Sequence, residues 1–193
     1  MQLVFASNNK HKVSEVSQML GNTFELKTLT EIGCIEDIPE PWPTLEENAL
    51  AKARFVYNKF GLDCFADDTG LEIDALGGKP GVISARYAGV NPTYADNYRK
   101  LLREMEGKDN RKARFRAVFA LILDGNEYLF EGVVKGKIIN EPIGEKGFGY
   151  DPVFIPDGYD QTFAQMSAEL KNIISHRYHV TVKLVEFLKG KTE

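Results

Sequence analysis

Apolar positions fall into short runs divided by polar, glycine-bearing or proline-bearing breaks. Leu3 to Ala6 predicts a first strand. The polar hinge Ser7-Asn8-Asn9-Lys10-His11-Lys12 follows it. Val13, Val16, Met19 and Leu20 then recur at helical spacing, with Gly21 the expected stop. Phe24 to Leu29 reads as a second strand. Three prolines between Ile38 and Pro43 surround Glu40 and Trp42 and predict a rigid loop. Thr44-Leu45-Glu46-Glu47 has the capping-box pattern. The helix it opens is expected to reach about Phe60 and end at Gly61. Asp63 to Asp67 predicts a strand, and Leu71 to Leu76 a continuation past Gly70.

In the second half, Tyr94 to Met105 is patterned as a helix, with Tyr98, Leu101, Leu102 and Met105 on one face. Lys108 to Lys112 reads as a charged surface loop. Arg114 to Leu123 is the clearest strand. Asp124-Gly125-Asn126 turns it into a second strand, Glu127 to Ile138, as a hairpin. Gly144 to Gly149 is a glycine-studded loop. Ser167 to Lys189 reads as helix, with a break near Asn172 to Ser175. Repeats, low-complexity tracts and an interdomain linker are all missing from the sequence. The order predicts one α/β domain over residues 1–193, with a mixed β-sheet and helices on both faces.

Composition narrows the function classes. The chain has 193 residues, 43% of them hydrophobic, which is enough for a real core. Its two cysteines, Cys34 and Cys64, sit in no paired motif, so neither a disulfide scaffold nor a zinc site is indicated. The start of the chain lacks the basic lead-in and apolar length of a secretory leader. A reduced, cytoplasmic setting is expected, with no membrane span. The net charge of −4 argues against a nucleic-acid-coating protein. It leaves room for a small anionic substrate held by concentrated cations.

Four constellations carry candidate chemistry. The hinge Ser7 to Lys12 joins a strand to a helix start, where free N–H groups and the helix dipole favour an anion. It also reads as a plain polar helix start capped by Ser7 or Asn9. The run Phe65-Ala66-Asp67-Asp68-Thr69-Gly70-Leu71-Glu72 ends an apolar stretch in adjacent carboxylates. Such a group needs a cation, a shared proton or open water. Alternation along a strand would point Asp67 and Thr69 one way and Asp68 the other, giving the two aspartates different jobs. Mg²⁺ takes only one or two carboxylates, and Glu40 in its stiff loop is a plausible second ligand. The third group, Gly147-Phe148-Gly149-Tyr150-Asp151-Pro152, reads either as an aromatic platform for a base or as a tight turn over a core phenylalanine. The fourth, Lys171-Asn172 with Ser175-His176-Arg177, crowds donors together, or starts a helix with exposed charges. Together they describe a nucleotide site: cations for phosphates, acids for Mg²⁺, a ring for the base and donors for its edge.

These blocks, in this order and nearly end to end, resemble the inosine triphosphate pyrophosphatase family. Thr44-Leu45-Glu46-Glu47-Asn48-Ala49 and Pro80-Gly81 through Ser84-Ala85-Arg86-Tyr87 match as well. The resemblance implies two lobes around a central substrate cleft, usually in a homodimer. It implies Mg²⁺-dependent hydrolysis of non-standard purine nucleoside triphosphates (ITP, dITP, XTP) to monophosphate and pyrophosphate. Ser7, Asn8, Asn9, Lys10, His11 and Lys12 would hold the triphosphate, with Lys52 a further phosphate contact. Asp68 would be proton acceptor and metal ligand, and Glu40 the second metal-binding acid. Thr69 would touch substrate. Phe148, Gly149, Tyr150 and Asp151 would form the base pocket, with Lys171, His176 and Arg177 at the base edge. Gln165 stands where many members carry glutamate, and Tyr150 where some carry tryptophan.

Overall fold

A computed structural model describes residues 2–20 and 24–192. The stop expected at Gly21 lies outside the described residues. Six strands form one mixed sheet in the order β2-β1-β3-β4-β5-β6. They are β1 (Gln2–Phe5), β2 (Glu25–Thr28), β3 (Cys64–Ile73), β4 (Lys112–Leu123), β5 (Asn126–Ile138) and β6 (Phe154–Pro156). The helices are α1 (Lys10–Leu20), α2 (Leu45–Phe60), α3 (Tyr94–Glu104), α4 (Ala168–Ile174) and α5 (His176–Thr192). β1 pairs in parallel with β2 and with β3, whereas β5 and β6 run antiparallel. The mixed α/β sheet agrees with the sequence reading.

The chain divides into two compact units, with three of the boundaries inside β3, β4 and β5 and the fourth at the start of α5. The first comprises residues 1–68, 117–132 and 177–193. Its core gathers Leu3, Phe5, Phe65 and Phe119 from the sheet with Val16, Leu20, Val180, Leu184 and Leu188 from α1 and α5. Phe5 and Phe65 are register partners, and their rings stack at 4.6 Å. β1 is buried on both faces from Leu3 to Phe5, as a parallel inner strand should be.

α2 supplies this unit's best-defined helix. Thr44 Oγ1 accepts the Glu47 N–H at 3.2 Å, and Gly61 ends the helix in the left-handed conformation at φ 65°. Its inner face carries Leu45, Ala49, Ala53 and Val56, and also the polar Asn48 and Lys52. Two polar groups on a core-facing stripe are the first structural sign of a site.

The second unit comprises residues 69–116 and 133–176. Leu71, Leu101, Met105, Phe115, Phe154 and Phe163 form its core. β4 records the change of environment in its own burial. Residues 112–115 alternate exposed and buried, while everything from Ala117 to Leu123 is buried. β3 does not stop at the glycine but runs through it. A Cβ on Gly70 would meet the Gly81 carbonyl oxygen at 2.6 Å, so close backbone approach requires glycine there. The β4–β5 turn uses Asp124 and Gly125, both at positive φ, which suits a two-residue hairpin. The helical break expected near Asn172 to Ser175 falls at Ser175, which ends α4 and precedes α5. Strand β6 carried no signal in the sequence, being three residues between glycine- and proline-rich loops.

Candidate active site

Asp67 and Asp68 are adjacent on β3, and both are buried. The strand continues through them, and they have different partners. Asp67 meets the Lys12 ammonium at 2.7 Å, with Arg177 Nη2 4.0 Å away. Burial opposes the charge on Asp67, but Lys12, Lys52 and Arg177 outweigh it and hold the carboxyl down to about 2. Asp68 accepts a hydrogen bond from Asn48 Nδ2 at 3.1 Å. Burial is the largest influence on Asp68. Lys52 and Lys12 oppose it, Glu40 and Asp67 reinforce it, and the carboxyl is pushed up to about 6. One aspartate is an anchored anion. Its neighbour is poised to exchange a proton near neutral pH.

The hinge delivers Lys12 to this group. Asn9 caps α1, its Oδ1 accepting the N–H groups of His11 at 3.0 Å and Lys12 at 3.3 Å. Ser7 Oγ accepts the Asn9 N–H at 3.3 Å and sets the turn. Asn8, Lys10 and His11 are exposed, whereas Ser7, Asn9 and Lys12 are partly buried. The capping bonds engage two of the N–H groups that a bound anion would otherwise use.

The proline-bearing loop brings Glu40 to the Lys52 ammonium, which also donates to the Asp67 carbonyl. Burial works against the charge on Lys52, but Asp67, Glu40 and Asp68 together raise its pKa. Arg177 is fully buried and pairs with Glu15. Lys12, Lys52 and Arg177 thus share this region with Glu15, Glu40, Asp67 and Asp68. Three cations face four carboxylates. The surplus negative charge is felt at Asp68, where it favours either a proton or a metal cation. Among the described residues, His, Cys, Asp and Glu form no group of three or more suited to a metal. A pair of carboxylates fits Mg²⁺ held largely by substrate phosphates and water.

The second unit assembles the aromatic group. Phe148 and Lys171 lie together, the ammonium 4.7 Å from the ring centroid. Asp151 organises both, because its Oδ2 accepts the Phe148 N–H at 2.9 Å and Lys171 Nζ at 2.6 Å. Gly147 sits at φ 74°, and a Cβ there would run into the Asp151 carboxylate. Tyr94, at the start of α3, sets its exposed ring 6.1 Å from Phe148.

Other expected base-pocket residues are placed differently. Tyr150 is buried in the unit's core and donates to the Ser84 carbonyl at 2.7 Å. His176 is buried flat against Phe115, with centroids 4.9 Å apart. Gly149 is half-buried at φ 63°, and Thr69 is half-buried on β3. The alternative of exposed charges at Ser175-His176-Arg177 does not describe the structure, since all three are buried. Gln165 Oε1 accepts the Thr162 N–H at 2.9 Å, a bond that glutamate would make equally well.

The sequence reading passed over Asn48, Glu15 and Tyr94. Asn48 lies one turn before Lys52 on the same helix face, a spacing that was visible. Glu15 and Tyr94 carried no local signal.

An acid pair with opposed environments, beside Lys12 and the buried Lys52 on a mixed α/β sheet, is the arrangement a phosphate-processing hydrolase uses. Comparison with known proteins gives the family. Residues 3–187 match the Ham1 family, and the chain belongs to it. It is 52% identical over 190 residues to the dITP/XTP pyrophosphatase of Flavobacterium psychrophilum, covering 98% of this chain and 100% of that one. It is 50% identical over 188 residues to the protein of the same name from Flavobacterium johnsoniae, covering 97% and 98%. The structure of the Staphylococcus aureus Ham1 protein superposes with a TM-score of 0.91 at 37% identity, covering 99% of this chain and 100% of that one.

Proposed function

We propose that this protein hydrolyses deaminated purine nucleoside triphosphates (dITP, ITP and XTP) to the monophosphate and pyrophosphate. Such an activity keeps deaminated purines out of DNA and RNA. The observation that carries the reading is the different partnering of two adjacent buried aspartates, Asp67 on the Lys12 ammonium at 2.7 Å and Asp68 on Asn48 at 3.1 Å, beside the Lys52–Glu40 pair. The name shared by relatives at about half identity supports the same chemistry.

In this mechanism Lys12 and Lys52 exchange part of their pairing with Asp67 and Glu40 for substrate phosphates. Ser7 to His11 line the approach of the triphosphate. Asp68 orients a water molecule toward the α-phosphorus and accepts its proton, and pyrophosphate leaves. Glu40 and Asp68 would hold Mg²⁺, which neutralises phosphate charge and lowers the pKa of a bound water. Positioning and charge stabilisation supply most of the rate enhancement.

The base is read by the second unit's residues. Phe148 offers a stacking face, and the Lys171 ammonium beside it is a donor suited to the O6 acceptor of a deaminated purine. Adenine presents a donor there, setting donor against donor, which a polar pocket penalises strongly. His176, buried against Phe115 in the same unit, would orient this edge. Arg177 instead pairs with Glu15 near Asp67 in the first unit and is assigned to the phosphate end. A homodimer working in the cytoplasm on small nucleotides, apart from nucleic acid and membrane, completes the reading. The net charge of −4 supports a small ligand over a nucleic-acid track. Among the described residues no helix is long and apolar enough to cross a membrane. The test is pyrophosphate release across dITP, ITP, XTP, ATP and GTP, with and without Mg²⁺. The first three should be cleaved at least ~100-fold more efficiently than ATP. Equal turnover of ATP, or wild-type rates in excess chelator, would contradict it.

A further inference from the structure

Asn48 is the fourth residue of α2 and is fully buried. Its side-chain amide clasps the backbone of Trp42 with two bonds. The Trp42 N–H donates to Asn48 Oδ1 at 2.9 Å, and Asn48 Nδ2 donates to the Trp42 carbonyl at 3.1 Å. Asn48 Nδ2 also donates to Asp68 Oδ2 at 3.1 Å. These bonds fix the amide's orientation. Exchanging its oxygen and nitrogen would set oxygen against the Trp42 carbonyl and the Asp68 carboxylate.

One turn further along the helix, Lys52 reaches Glu40 and the Asp67 carbonyl. One face of α2 therefore holds both the loop that carries Glu40 and the strand that carries Asp67 and Asp68. An interior asparagine is a poor helix former, and its buried amide is costly unless bonded. Packing alone calls for an apolar residue here, as at the neighbouring Leu45 and Ala49. The three bonds give the amide a different use.

We infer that Asn48 is a positioning residue: it sets the facing of the Asp68 carboxylate and ties the Glu40 loop to it, so that both acids converge on one divalent cation. The inference rests on the roles of Glu40 and Asp68 given above. Glutamine, aspartate or alanine at this position cannot reproduce the clasp. Glutamine is too long, aspartate reverses the contact to Asp68, and alanine removes all three bonds.

Asn48→Ala and Asn48→Gln test it beside the wild type. The expected result is a ~10–100-fold loss of kcat on dITP with KM changed less than ~3-fold. The Mg²⁺ Kd, measured by calorimetry on protein saturated with non-hydrolysable α,β-imido-dITP, should rise at least ~10-fold. A folded variant with wild-type Mg²⁺ affinity overturns the inference, whatever its kcat and even if its Tm is lower. Should the variants fail to fold, the wild-type Asn48 side-chain amide resonances supply the test. They should shift when Mg²⁺ joins the bound analogue, and unchanged resonances overturn the inference. The wild-type control separates the claims. No pyrophosphate from wild type overturns the proposed activity, whereas unaltered Mg²⁺ affinity in Asn48→Ala overturns only the role of Asn48.

Discussion

The Asp67 carboxylate and the Lys12 ammonium lie 2.7 Å apart, joining the middle of β3 to the first turn of α1. Asp67 is fully buried, and Lys52 and Arg177 add to the field that keeps it ionised. Removing one partner of such a group leaves the others buried and uncompensated. Asp67→Asn should therefore cost about 3–5 kcal/mol of stability, read by urea unfolding at pH 7. The pH dependence has a definite sign. The folded carboxyl, at about 2, lies below its ordinary value of 3.8, so its stabilisation is complete above pH 4 and fades as pH falls toward 2. The gap between wild type and variant should narrow by about 2 kcal/mol over that window. A gap that stays constant to pH 2 would show that Asp67 is not held as an anion.

Asp68 has the opposite sign. Its carboxyl is raised from 3.8 to about 6, so ionising it costs the fold stability as pH rises through that interval. Asp68→Asn should stabilise the metal-free protein at pH 8, by an amount on the order of 1–3 kcal/mol, and leave it nearly unchanged at pH 3. The same variant should release pyrophosphate at least ~1000-fold more slowly. Calorimetric Tm values at the two pH values, with a coupled pyrophosphate assay, check both halves. A destabilised Asp68→Asn protein at pH 8 would contradict the electrostatic account.

Phe148→Ala removes the ring beneath Lys171. Stacking on an aromatic ring contributes about 1–3 kcal/mol per base, so KM for ITP should rise ~5–100-fold. Because the ring touches no reacting atom, kcat should stay within ~3-fold. Steady-state kinetics decide, and an unchanged KM would remove Phe148 from the base site.

Lys171→Met replaces the ammonium beside Phe148 with an apolar group of similar length. The preference for ITP over ATP, as the ratio of kcat/KM values, should fall at least ~10-fold. The Asp151 carboxylate loses a buried partner, so a lower Tm should accompany the change. A variant with undiminished preference would assign purine discrimination to other residues.

Much of this was legible in the chain itself. Thr44 and Gly61 bracket α2 because a hydroxyl at the helix start and a residue free to adopt positive φ at its end are local requirements. The different partners of Asp67 and Asp68 follow from strand alternation, which needs only a local pattern. What stayed hidden depends on contacts distant in sequence. The continuation past Gly70 was expected, but not the reason for a glycine there, which is the Gly81 backbone packed where a side chain would be. Asn48 was passed over because its partners, Trp42 and Asp68, come together only in the fold. Arg177 read either as a donor or as an exposed charge at a helix start, but Glu15, 162 residues earlier, pairs with it in the interior. The resemblance implied that Tyr150 lines the base pocket, whereas it is buried in the second unit's core.

The most direct test of the central claim is hydrolysis of dITP with Mg²⁺ in ¹⁸O-enriched water, with the products resolved by mass spectrometry. If Asp68 directs water onto the α-phosphorus, one labelled oxygen appears in dIMP and none in pyrophosphate. Label in pyrophosphate, or release of inorganic phosphate in its place, would contradict the account.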